Sequence, residues 1–310
     1  MARTHDDSWD LATSVGATAT LVAAARALAS RQGDPLVDDP FAEALVRAVG
    51  IAAFTQALDG AAGGLAAAPA ARVLIDVVAV RTRFFDDFFI EAAAAGIRQA
   101  VILASGLDAR AYRLRWPAGT TVFEIDRSEV IEFKARVLAD HGAVAAADLR
   151  TVAVDLRDDW AAALRAAGFD ETAPTAWIAE GLLVYLPAQA QERLFETITA
   201  LSVQGSRIAT EYHRDGGAGI AQRASAMSER LAAEGFALNP AEGGLDLNLG
   251  ELFYADDRRS VVDHLEHLGW EVTSRPRADM FAAHGRSFPD DPADQALRDS
   301  FSVTAIRKAI

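Results

Sequence analysis

Three acidic residues close successive apolar runs in the middle of the chain. Asp126 ends Phe123-Glu124-Ile125-Asp126, Asp155 stands between Val154 and Leu156, and Glu180 follows the run Ala176–Ala179. Ahead of them lies Val101 to Arg110, an apolar stretch that ends in Ala104, Ser105 and Gly106 before a helix opens. Small side chains let a ligand approach the backbone closely, and a helix amino terminus presents free N–H groups. Asp126 falls 20 positions after Gly106, the spacing at which an acid accepts hydrogen bonds from both hydroxyls of a ribose. Asp155 suits the amino group of an adenine and Leu156 its ring face, so the constellation reads as a nucleoside site.

Two kinds of nucleoside ligand share the ribose spacing. The segment Ala104-Ser105-Gly106-Leu107-Asp108 lacks the GxGxxG glycines that a nicotinamide or flavin pyrophosphate requires. An acid after the third strand favours S-adenosyl-L-methionine (SAM) over NAD. The alternative is an NAD(P)-dependent oxidoreductase on a Rossmann-like fold, or a non-catalytic nucleotide-binding protein.

These residues need a parallel sheet to bring them together, and the rhythm of the chain supplies one. Seven β-prone runs stand out: Ala100–Ala104, Thr121–Ile125, Arg150–Val154, Ala176–Ala179, Arg207–Glu211, Trp270–Thr273 and Phe301–Ile306. The first five are nearly continuous apolar segments, as expected for strands covered by helices on both faces. An irregular stretch with three prolines, Ser274 to Ser300, precedes the last run, so that strand need not enter by a right-handed crossover and is expected antiparallel. Before the sheet, helices are predicted over Thr13–Ser30, Phe41–Leu58 and Ala70–Ala95, with a Gly/Ala-rich loop at Asp59–Pro69. The interval Tyr212–Gly269 is long for a connection and should hold two helices, Gly219–Glu234 and Ser260–Leu268. The predicted organisation is an amino-terminal helical cap over 1–95, integral to the fold, and a ligand-binding domain over 96–310 whose lid insertion spans about 212–269.

Composition limits the partners. With 30 Lys+Arg against 44 Asp+Glu the chain carries a net charge of −14, which opposes binding to nucleic acid. The absence of cysteine excludes disulfides, thiolate metal sites and thiol catalysis. No signal sequence or spanning segment is recognisable, and the expectation is a cytoplasmic protein. His264 and His267 share a helix face, yet no ligand motif accompanies them, so a solvated face is expected there and no metal site.

Several long blocks resemble one family: Ser14–Thr18, Arg81-Thr82-Arg83-Phe84-Phe85-Asp86, Ala104–Leu114, Glu124-Ile125-Asp126, Asp155-Leu156 and Glu180–Leu186. They are similar to the SAM-dependent methyltransferases found as many paralogues in mycobacteria, which are related to the leucine carboxyl methyltransferases. The resemblance covers nearly the whole chain. It implies an α/β, Rossmann-like class I SAM-dependent methyltransferase fold with a seven-stranded, mostly parallel sheet and an antiparallel last strand. It implies SAM as cofactor, with Asp126 on the ribose, Asp155 and Leu156 on the adenine, and the turn Ala104, Ser105, Gly106 along the methionine part. Glu180 would bind the cofactor's amino end and Arg81 its carboxylate. Many methyltransferases carry glycine where this chain has Ala104. Arg83, two residues on, points to another side of the helix, and Arg81 is preferred. Arg81 beside phenylalanines also fits an apolar helix face with a snorkelling guanidinium.

The implied reaction is O-methylation of a carboxylate or hydroxyl on a small-molecule, lipid or peptide-carboxylate acceptor. Tyr185 and His213 are the acceptor-side candidates, and no catalytic residue is assigned. An in-line displacement on an activated methyl needs alignment in a dry site more than a dedicated nucleophile.

Overall fold

Val101 and Leu103 point to one side of their strand and Ala100 and Ile102 to the other, and all four are buried. That strand, β1 (Gln99–Leu103), therefore lies inside a sheet covered on both faces. In the computed structural model, which describes residues 14–60, 68–214, 216–234, 249–289 and 298–309, it is an interior strand, third in a seven-stranded sheet. The other strands are β2 (Thr121–Asp126), β3 (Asp148–Ala153), β4 (Thr175–Ala179), β5 (Arg207–His213), β6 (Trp270–Pro276) and β7 (Ser300–Arg307). Their order across the sheet is β3-β2-β1-β4-β5-β7-β6. All seven predicted runs are strands. β7 is antiparallel to both neighbours, with Thr304 opposite Ala209 of β5 and Thr273 of β6.

Eleven helices are described: α1 (Ser14–Ser30), α2 (Ala42–Val49), α3 (Ala52–Asp59), α4 (Pro69–Ala94), α5 (Arg110–Arg113), α6 (Ser128–Asp140), α7 (Trp160–Ala166), α8 (Ala188–Ala200), α9 (Gly216–Ala233), α10 (Val261–His267) and α11 (Arg277–Ala283). One sheet face packs Val101, Leu103, Phe123 and Trp177 against α7, α8 and α10. The other packs Ala100, Ile102, Val122 and Ile178 against the phenylalanines 84, 85, 88 and 89 of α4 and against Met280 and Phe281 of α11. A third cluster joins α1, α2, α3, the start of α4 and α6. The amino-terminal helices thus reach the sheet through α4, whose paired phenylalanines supply the apolar stripe.

Four expectations are corrected. The helix predicted over Phe41–Leu58 is two helices, because Gly50 takes φ 80°, its N–H closes on the Val46 carbonyl, and Ile51 is extended before α3 begins. β3 is not covered on both faces: it is the sheet edge, and only Val152 on it is buried. The stretch after residue 273 is not irregular throughout, since β6 runs on to Pro276 and α11 follows at once. Proline there caps the strand and fixes φ for the helix start. His264 does not face solvent; it is 2% exposed and meets the Phe195 ring edge-on at 6.0 Å, while His267 is exposed. Residues 61–67 of the predicted Asp59–Pro69 loop and residues 235–248 of the lid lie outside the described residues. No helix among the described residues is long and apolar enough to cross a membrane.

The segment between β5 and β6 is packed through glycine. A Cβ on Gly250 would collide with the Ala221 carbonyl and Ser225 Oγ of α9, and one on Gly217 with the Tyr254 carbonyl. Backbone cannot yield there. Gly250→Ala is expected to lower stability by about 1–3 kcal/mol through overpacking, read from the midpoint of denaturant unfolding.

Candidate functional site

Strand order reverses between β1 and β4, and a crevice opens over their carboxyl ends, where ligands bind in open α/β sheets. A cavity of about 460 Å³ occupies it. Its lining includes Arg81 from α4, Ala104, Ser105 and Gly106 after β1, Asp126 at the end of β2, Glu180 after β4, and Tyr185 and His213. The structure therefore brings eight of the ten sequence-predicted residues to one hollow. The other two, Asp155 and Leu156, follow β3 and are not part of the lining. Asp155 is engaged by its neighbour Arg157, at 2.7 Å, and approached by Arg127 at 4.0 Å.

The turn after β1 is held from below. Ser105 N–H donates to the Ile125 carbonyl at 3.0 Å, and Gly106 N–H donates to Asp126 Oδ2 at 2.7 Å. Asp126 also accepts from its neighbour's N–H, Arg127, at 2.8 Å on Oδ1. Each carboxylate oxygen keeps a further lone pair for a hydroxyl donor. Burial pushes Asp126 above its ordinary pKa, against the pull of those two N–H groups. Both Ala104 and Gly106 have φ 49°. The left-handed conformation costs a residue with a Cβ about 1–2 kcal/mol, a cost that glycine would not carry at position 104.

Of Arg81 and Arg83 on α4, Arg81 is the one that lines the cavity. Its Nε lies 3.0 Å from Glu211 Oε1 and 3.4 Å from Glu180 Oε1, whereas Arg83 pairs with Asp87 at 2.8 Å on the exposed side of α4. Burial alone would lower the Arg81 pKa, but Glu211 and then Glu180 raise it. Gly181, at φ 62°, sits against this guanidinium and donates its N–H to Glu211 at 3.1 Å. Tyr185 Oη donates to Thr18 Oγ1 at 2.8 Å, which ties α1 to the segment after β4. His213 Nδ1 lies 2.8 Å from Ser300 Oγ.

The sheet order, with its last strand reversed, is that of a class I SAM-dependent methyltransferase, and a small-residue turn, a buried carboxylate and an Arg/Glu pair stand at its reversal point. The leucine carboxyl methyltransferase model matches residues 19–199, and the chain belongs to that family. A relative from Mycobacterium sp. (strain JLS), provisionally named an S-adenosyl-L-methionine-dependent methyltransferase, is 61% identical over 99% of this chain and 100% of its own length. One of the same name from Mycolicibacterium smegmatis is 58% identical over 99% of this chain and 100% of its own. The solved structure of a provisionally named methyltransferase from Thermobifida fusca aligns at 15% identity and a TM-score of 0.49, covering 95% of this chain and 99% of that one. The nicotinamide oxidoreductase alternative finds no support among these relatives.

Four residues that shape the site were not singled out from the sequence. Arg110, 2% exposed, donates to Asp86 of α4 at 2.6 Å, to Glu180 at 2.7 Å, to Asp108 and to the Thr82 carbonyl. Glu211 holds Arg81. Lys134 and Glu124 form a buried ion pair at 2.8 Å beneath the turn, and the ammonium also donates to Ser105 Oγ at 3.3 Å and the Asp108 carbonyl at 3.0 Å. A signal existed: Asp86 interrupts an apolar helix stripe, Glu124 an apolar strand and Lys134 the stripe Val130, Ile131, Val137, Leu138. Charges at core positions demand buried partners.

Burial raises the Glu124 pKa despite Lys134. Removing the cation in Lys134→Met leaves that carboxyl buried without a counter-charge, and stability should fall by about 3–5 kcal/mol. A raised folded-state pKa means that the folded protein holds the proton longer. Stability of the variant should then decline as pH rises above the ordinary glutamate range, by up to about 1.4 kcal/mol per pH unit. Lys134→Met combined with Glu124→Gln should remove the slope; urea unfolding at a series of pH values reads both.

Proposed function

We propose that the protein transfers the SAM methyl group to an oxygen, carboxylate or hydroxyl, of a small-molecule, lipid or peptide-carboxylate acceptor bound under the lid. The observation that carries this reading is the cavity over β1 and β4, where a nucleoside-type acid and an amino-acid-type ion pair stand on either side of one small-residue turn. Asp126 receives the ribose hydroxyls. Glu180 binds the ammonium of the methionine part and Arg81 its carboxylate, each exchanging part of its present pairing for the ligand. Ala104, Ser105 and Gly106 lie along the methionine chain, where side chains larger than these would stand in its way. Asp155 and Leu156 hold the adenine at the next strand tip, and the reading is supported there by sequence position rather than by the cavity.

When bound, SAM supplies a methyl group already activated on a sulfonium. The chain's own residues then have three tasks: to hold the acceptor oxygen in line, to exclude water, and to accept a proton where the acceptor is a hydroxyl. The apolar walls and the packed lid serve the first two. A carboxylate acceptor is ionised at neutral pH and requires no base. For a hydroxyl, His213 and Tyr185 are the candidates to accept the proton.

Calorimetric titration with SAM, S-adenosylhomocysteine and NAD should show binding of the first two and not of NAD. Asp126→Ala and Asp155→Ala should each weaken SAM by about 1–3 kcal/mol, the loss expected for an acceptor of charged hydrogen bonds. Asp126→Ala with unchanged SAM affinity removes that assignment, and NAD binding tighter than SAM removes the reading as a whole.

A further inference from the structure

The part of the cavity beyond Glu211 rests on the ends of β5, β7 and β6, on the far side of β4 from the nucleoside-type acid. Its charge is opposite to that of the molecule. The chain as a whole carries a net −14, yet His213 and Arg214 at the end of β5 and Arg277 after β6 stand here with Glu211, and Arg258 and Arg259 line the same cavity. Three of the arginines are committed elsewhere or stand at the rim. Arg258 pairs with Asp256 and donates to the carbonyls of Leu183, Leu186 and Tyr254. Arg214 lies over the Phe301 ring at 4.6 Å, and Arg259 is exposed.

Arg277 is different. It follows β6 directly, its side chain is 13% exposed, and among the described residues its one hydrogen bond is a long one, 3.4 Å from Nη2 to Glu211 Oε2. That carboxylate is already held at 3.0 Å by Arg81 and at 3.1 Å by Gly181 N–H. A guanidinium carries five N–H donors in one plane. Burial, with the nearby charges of Arg81 and Arg223, holds the Arg277 pKa below its ordinary value in spite of Glu211. A buried cation that shares its only counter-charge is costly unless another anion completes its shell. The lining of the same cavity also includes the apolar side chains of Leu21, Val22, Leu74, Val77, Ile220 and Phe253.

We infer that Arg277 determines acceptor specificity: it receives the carboxylate of a small organic acid whose remaining surface is apolar. The planar fork matches a carboxylate in bidentate fashion, and the aliphatic and aromatic walls take the body of the molecule. This assignment rests on the cofactor reading proposed above, which places SAM on the β1 to β4 side and leaves the β5 to β6 side for the acceptor.

The test uses the whole protein in two stages. Wild type is first titrated with S-adenosylhomocysteine; failure to bind counts against the cofactor reading and is seen before any acid is added. With that ligand saturating, octanoate, decanoate and phenylacetate are each compared with the corresponding primary amide. At least one acid is expected to bind about tenfold or more tightly than its amide, the size of a charge-assisted hydrogen bond. In Arg277→Gln the preference should fall below about twofold, and Arg277→Lys, which keeps the charge without the fork, should restore part of it. S-adenosylhomocysteine should bind Arg277→Gln as it binds wild type, and circular dichroism melting reports whether each variant is folded. If Arg277→Gln does not fold, the wild-type acid and amide pairs and Arg277→Lys decide the matter. No acid preference in any wild-type pair overturns the inference, as does a preference that survives intact in Arg277→Gln, or loss of S-adenosylhomocysteine binding in that variant.

Discussion

The site depends on the burial of one cation, Arg110. Its guanidinium bridges Asp86 in the middle of α4, Asp108 after β1 and Glu180 after β4, and so ties a helix of the amino-terminal half to both strands at the point where the sheet order reverses. Arg113 adds a second link to Asp86 at 2.6 Å, and Arg26 of α1 reaches the Leu107 carbonyl at 2.6 Å while pairing with Asp39. Buried ion pairs contribute little net stability when they are compared with apolar packing, but removing one partner strands the others. Their effect here is geometric. They fix the height and angle of Glu180 and the turn relative to α4, and Arg81 is carried on that same helix.

The network also explains why the amino-terminal helices belong with the sheet. α4 is at once the cover of one sheet face, through its phenylalanines, and the carrier of Thr82, Asp86 and Arg81 toward the crevice. A helix that only capped the molecule would not need charges on its buried side. Beneath the turn, Lys134 and Glu124 repeat the device from α6 and β2, so the backbone of residues 104–108 is held from two directions before any ligand arrives.

Much of this was legible in the chain. β-prone apolar runs marked all seven strands, and the prolines before the last one pointed to its reversed direction. The order of small-residue turn, Asp126 and Glu180 along the sequence was enough to place them at neighbouring strand tips, because a parallel sheet built from right-handed crossovers puts successive strand ends on one edge. What was not legible involved partners distant in sequence. Glu211 and Arg277 carry no local signature, since a glutamate inside a strand and an arginine opening a short helix are common, and only the sheet order sets them 3.4 Å apart. The exposed edge position of β3 and the burial of His264 were hidden for the same reason: alternation along a segment tells which side chains share a face, but not what covers that face.

The sequence by itself determined the class of fold, the strand-tip positions of the candidate site residues and the family, because these follow from local periodicity and from motifs a few residues long. Tertiary structure alone decided which of two arginines on α4 turns inward, how the buried charges pair, and that a strongly acidic chain lines its cavity with arginines. Pairing energies depend on distance and burial, and both are set by how helices and strands remote in sequence come to lie against one another.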